Sequence, residues 1–153
     1  MSLARIRARR ALAAAALLTL ATATLGAADA DVSTASAAPA AAPQTRLIAS
    51  SVLGSDYKVT LTALRSTDDE YAASVRLQVY THTGAAWKES DRVTVGDVDG
   101  WFWYPLTGSG AVCRFSTSAA EPAPIAVSLL LTPSLGCSEP AHYVVEHGKV
   151  HTG

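Results

Sequence analysis

The sequence predicts an all-β fold: an antiparallel β-sandwich of about seven to nine short strands with one disulfide. Three observations carry that reading. From residue 45 onward, apolar and polar residues alternate with a period of two, which marks strands with one face buried and one face wet. Clusters of Gly, Asp, Ser and Thr break these runs at regular intervals, as turns between short strands do. No window of twelve or more residues in this region keeps an apolar stripe at helical spacing.

The first thirty residues read as an address and not as part of the fold. Arg5, Arg7, Arg9 and Arg10 form a basic start, Ala11 to Leu25 is an uncharged apolar run, and Ala28-Asp29-Ala30 offers a small-residue cleavage site. Together these are the parts of a secretory signal peptide. The apolar run spans positions 11 to 25, short of the roughly 20 residues that cross a bilayer. Arg9-Arg10 hints at twin-arginine export, although Ala8 stands where a polar residue is usual. No cysteine follows the run, so the sequence gives no site for a lipid anchor. A released, extracellular domain is the expectation. Asp31 to Gln44 is almost wholly Ala, Ser, Thr and Pro and reads as a disordered spacer, because it cannot bury enough apolar surface to offset its ordering entropy.

Residues 45–153 are then one domain with one core. The whole chain has 12 basic and 13 acidic residues. Removal of 1–30 takes four arginines and Asp29, leaving 8 and 12, a formal net charge of −4. A mildly acidic surface repels phosphate backbones and anionic membranes, which argues against nucleic acid as a partner.

Within the domain, Arg46–Val52 is the first expected strand. Tyr57–Ala63 and Ala73–Val79 are the cleanest alternating runs, separated by Ser66-Thr67-Asp68-Asp69. Strands are also expected at Trp87–Val95, Trp101–Tyr104, Ala111–Thr117 and Ile125–Leu131. The last of these is the most continuously apolar and belongs at the centre of its sheet. A final hairpin should pair Tyr143–Glu146 with Lys149–His151 around Gly148. Cys113 and Cys137 are the only cysteines; in an exported chain such a pair reads as a disulfide. No tryptophan lies between them, so the sandwich is Ig-like in architecture alone.

The stretch Gly96–Leu106, GDVDGWFWYPL, holds the candidate site. Its Gly96-Asp97-Val98-Asp99-Gly100 opening resembles the start of the calcium loops of FG-GAP and VCBS-type repeats. The pattern departs at Trp101, and no third carboxylate follows, so the aspartates read as turn formers. In an extended strand Trp101 and Trp103 point one way and Phe102 and Tyr104 the other. One pair fills the core; the other is left as a recognition surface, which Trp87 at the start of another strand would extend. Pro105 closes the strand and suggests an edge.

Nothing in the sequence marks catalysis. There is no G-x-S-x-G elbow, and Gly108-Ser109-Gly110 reads as a connection. Glu89 with Asp91, and Asp97 with Asp99, read as surface charge. His147, His151 and Glu146 around the last turn lack a fourth ligand for a metal site, and His82 and His142 stand apart. The reading is a non-enzymatic, cofactor-free binding module for an extracellular glycan or protein. The alternative is a secreted inhibitor acting through loops such as Thr132–Pro140, whose prolines and tethered Cys137 would preorganise it. The Ala-rich leader and spacer resemble those of small secreted proteins of high-GC Gram-positive bacteria; that resemblance implies export and carries no activity.

Overall fold

The computed structural model describes residues 42–153. The expected leader at 1–30 and spacer residues 31–41 lie outside the described residues. The alternating runs form two antiparallel sheets. In the first, β1 (Thr45–Leu53), β2 (Tyr57–Arg65), β3 (Ala72–Thr83) and β4 (Ala86–Val95) follow one another as a meander. A two-residue β5 (Trp101–Phe102) pairs with the start of β3, setting Trp101 opposite Ala73 and Phe102 opposite Ala72. A single helical turn, α1 (Trp103–Thr107), leads to the second sheet. There β6 (Val112–Thr117), β7 (Ala123–Thr132), β9 (Ala141–Glu146) and β10 (Lys149–Thr152) lie in the order β10-β9-β7-β6, with the short β8 (Gly136–Cys137) beside the end of β7.

As its apolar sequence requires, β7 is central and pairs with β6, β8 and β9. The strand count exceeds the expected range by β8, which is too short to show a period. The core follows from the alternation. Val59, Leu61 and Ala63 of β2 and Val75, Leu77 and Val79 of β3 are fully buried, as are Ala123, Leu129 and Val145 of the second sheet. Each buried Leu, Ile or Val contributes roughly 1.5–3 kcal/mol of transfer free energy, so this interior is the main stabilising term.

The sheet edges close on each other through side chains. At one margin Ser51 Oγ and Thr117 Oγ1 lie 2.8 Å apart, joining β1 to β6. At the other, a register shift after Val79 leaves Ser90 as the extra residue of a bulge. Its hydroxyl donates to the carbonyl of Gly148 at 2.9 Å. Next to it, Asp91 Oδ2 accepts the backbone N–H of Val150 at 3.1 Å. That hydrogen bond is the largest influence holding the Asp91 carboxyl below its ordinary pKa. Asp91 is therefore not free surface charge but the cover of an otherwise open strand edge. The β9–β10 turn is the expected hairpin: His147 and Gly148 both have positive φ, at 49° and 73°, as a two-residue turn of the mirror-image kind requires. A Cβ on Gly148 would come within 2.9 Å of Thr81 Cγ2, so that position is closed to other residues on two counts.

The disulfide forms as expected, with Cys113 and Cys137 Cα atoms 6.2 Å apart. It ties β6 to β8 on either side of β7.

Candidate functional site

The aromatic run does not continue as a strand. It is extended only at Trp101 and Phe102, and Trp103–Thr107 coils into α1. This corrects the expectation of a four-residue strand, and the reason lies in the sequence. Trp103 and Leu106, three positions apart, share one face of a helix, and both are buried. Pro105 sits inside the first turn, where its missing N–H has no partner to lose. It marks a helix start here and not a sheet edge.

Even so, the side chains separate as the strand would have separated them. Trp101 and Trp103 are core members, 7% and 6% exposed, whereas Phe102 and Tyr104 are 45% and 57% exposed. The Trp101 indole N–H donates to the carbonyl of Val95 at 2.6 Å, so its polar handle is satisfied inside. The two tryptophans thus contribute no contact surface. Trp87 is also set apart. It pairs with His82 near the far end of β3, nine residues along from the Ala73–Trp101 pair, or about 30 Å at the rise of a strand. There it packs edge-on to His82, with ring centroids 4.4 Å apart. It cannot extend the surface at Phe102.

What does join that surface is Tyr71. The β2–β3 loop is folded by Asp69, whose Oδ1 accepts the N–H of Tyr71 at 2.9 Å, while its carbonyl accepts that of Ala72 at 3.1 Å. The Tyr71 carbonyl in turn accepts the N–H of Trp103 at 2.8 Å, locking this loop to the start of α1. Tyr71 is 59% exposed, and its ring lies 6.1 Å from that of Tyr104, tilted by 53°. Tyr71 belongs to no alternating run and no motif in the sequence; only the turn residues Ser66-Thr67-Asp68-Asp69 just ahead of it stand out there.

Arg65, at the end of β2, organises the back of this corner. Its Cζ is 5.8 Å from the ring centres of both Trp103 and Tyr104, a cation–π arrangement. Its Nε donates to the Glu70 carbonyl at 2.9 Å and its Nη1 to Gln44 Oε1 at 3.3 Å. The Glu70 carboxylate is 3.7 Å from its Nη2. On the other side of Tyr104 an open groove of about 330 Å³ runs past Pro105 and Ser109 to Leu130 and Pro133. The β7–β8 loop that forms its far wall is closed by the Leu135 N–H donating to Thr132 Oγ1 at 3.1 Å. The chain just after β8 is held to β7, where Ser138 N–H donates to the Leu129 carbonyl at 2.8 Å and Ser128 Oγ to the Ser138 carbonyl at 2.7 Å. Leu135 stands 70% exposed at its tip.

Elsewhere the candidates do not converge. Asp97 and Asp99 form a turn, closed by the Gly100 N–H donating to the Asp97 carbonyl at 3.2 Å, with Asp99 at φ 56°, a conformation Asp tolerates. Among the described residues no group of three His, Cys, Asp or Glu side chains is placed to hold a metal ion. Glu89 is engaged by Gln78 Nε2 at 2.8 Å and by Arg92. A groove of about 430 Å³ on the outer face of the second sheet is lined mainly by Pro124, Ala126, Val144, His142 and serines; no exposed aromatic side chain and no charged cluster reach it. The corner of Tyr71 and Tyr104, with exposed Phe102 on the adjoining strand opposite Ala72, is the place where exposed aromatic area, a charged group and a groove coincide. No protein family, curated protein or solved structure matches the chain, so this corner is read from its own geometry.

Proposed function

We propose that the chain is exported by the signal peptide at 1–30 and that its sandwich is a non-catalytic binding module. Its ligand, an extracellular protein or a cell-wall glycan, is engaged at the corner formed by Phe102, Tyr104 and Tyr71. The observation that carries this reading is the exposure of three aromatic side chains, 45%, 57% and 59%, on backbone locked by the Trp103–Tyr71 hydrogen bond. Exposed aromatic area on a rigid support is the usual material of recognition sites, because it supplies contact at low entropic cost.

The second reading, an inhibitor or interaction protein acting through Thr132–Pro140, is favoured by the pinned loop and exposed Leu135 described above. Both surfaces border the groove between Tyr104 and Pro133, so one titration addresses both. Amide chemical shifts are followed while peptidoglycan fragments, soluble polysaccharides and secreted proteases are added in turn. Shifts centred on residues 71 and 102–104 support the corner, and shifts confined to 132–140 support the loop. Ligand-induced shifts that avoid both would overturn the proposal. For export, the released protein should begin at Asp31 by mass spectrometry; an intact leader in the cell fraction contradicts it.

A further inference from the structure

Resting on that reading of the corner, we infer that its partner is a basic segment of another protein, docking an arginine or lysine side chain against Tyr71 and Tyr104. Charge is the first argument. The β2–β3 loop brings Asp68, Asp69 and Glu70, and the β4–β5 loop brings Asp97 and Asp99; all five are exposed. The two loops meet at the same end of the sandwich, since Asp68 and Asp99 line one open groove of about 410 Å³. Cations there are few. Arg65 is already paired with Glu70; Arg46 stands opposite Ala63 near the start of β1 and Arg76 opposite Thr62 and Thr94, so the five carboxylates outnumber the cations. From Trp101 to Ala111, through α1 and its following loop, there is no charged residue at all. An approaching partner meets rings bordered by uncompensated carboxylates.

Side-chain geometry favours the same partner independently of net charge. This corner already holds one guanidinium within the chain. Arg65 sits 5.8 Å from the Tyr104 ring centre while its Nε donates to the Glu70 carbonyl and its Nη2 faces the Glu70 carboxylate. The pairing of aromatic face and oxygen acceptors that an arginine needs is thus displayed in the molecule itself. More than half of the Tyr104 surface remains exposed, as does that of Tyr71, and Asp68 and Asp69 make no ion pair among the described residues. A flat sugar platform is less well served. The two tyrosine rings are tilted by 53° with centroids 6.1 Å apart, so they touch each other and present no single flat surface, which suits one side chain laid against an outer ring face rather than two stacked pyranose rings.

The test is calorimetric titration of the full mature chain with an arginine–glycine repeat peptide and with the same peptide carrying citrulline in place of arginine. Citrulline keeps the shape and removes the charge. Binding of the arginine peptide should be at least tenfold tighter than that of the citrulline peptide and should weaken as salt is raised. The exposed substitutions Asp68→Asn with Asp69→Asn, and separately Tyr104→Leu, should each weaken it several-fold while leaving the thermal midpoint nearly unchanged. No binding of the arginine peptide, equal binding of the citrulline peptide, or arginine-peptide binding untouched by these variants overturns the inference. Tyr104-dependent binding of the citrulline peptide or of a soluble glycan would overturn only the charge preference and leave the corner as a ligand site. If neither those probes nor the arginine peptide binds in a Tyr104-dependent way, the corner reading falls with it.

Discussion

Trp101 and Tyr104 stand three positions apart in one aromatic run and have opposite roles, because one ring faces the interior and the other faces water. Trp101→Ala should destabilise the domain by about 3–5 kcal/mol, the usual cost of emptying a buried tryptophan site, and leave the Val95 carbonyl without its donor. Tyr104→Ala should cost less than about 1 kcal/mol in denaturant unfolding, as exposed substitutions generally do, and appear instead in ligand titration. Equal losses for the two would show that Tyr104 is a packing residue. Gly96 is fixed by the same tryptophan. At φ 69°, a Cβ there would lie 3.2 Å from Trp101 Cζ2, so Gly96→Ala combines backbone strain with a ring contact. A loss of about 1–3 kcal/mol is expected, measured by the shift in urea midpoint. Of these details, the sequence shows which residues are large and apolar. It does not show that Trp101 finds its hydrogen-bond acceptor six residues earlier, because that depends on how the β4–β5 turn folds back.

At the scale of elements, α1 and β8 are what pattern reading missed, and both are short. Five residues complete barely more than one helical turn, and two residues of strand have no period, so neither leaves a signal longer than its neighbours' noise. The longer strands, by contrast, lie where alternation puts them. Two connections between elements give tests. The disulfide closes a separation of 24 residues between β6 and β8. Replacing both cysteines by alanine should lower stability by about 3 kcal/mol on the chain-entropy account, with a matching fall in the denaturation midpoint. The β4–β10 edge depends on Asp91. Its pKa in the folded chain lies below the ordinary 3.8, so its contribution is present above that value and is lost as pH falls through the lower, folded one. The stability advantage of the native protein over Asp91→Asn should therefore be greatest near neutral pH and shrink in acid. A difference that stays constant across that range would show that the carboxylate charge is not what secures the edge.

Over the whole molecule, the two sheets meet through faces that the period-two pattern specifies and through margins that it does not. Ser51 with Thr117, and Ser90 and Asp91 with the β9–β10 hairpin, join residues 58 to 66 positions apart, and no local rule links such positions. The candidate site has the same character. Its tyrosines come from separate stretches, Tyr71 from the β2–β3 loop and Tyr104 from α1, and its supporting cation from the end of β2. Sequence reading set Trp101 and Trp103 on one side and Phe102 and Tyr104 on the other without deciding which pair is exposed, and it assigned Trp87 to the same surface, because distance along a sheet cannot be known before register is. What the sequence by itself determined is the class of fold, the strands, the final hairpin and the covalent bond, since alternation, turn residues and a lone cysteine pair act locally or by elimination. Tertiary structure alone decided which aromatic rings share a corner, which carboxylate seals an edge, and that a proline starts a helix instead of ending a strand. Those outcomes depend on contacts between residues far apart in the chain, and chain separation carries no information about them until the sheets have packed.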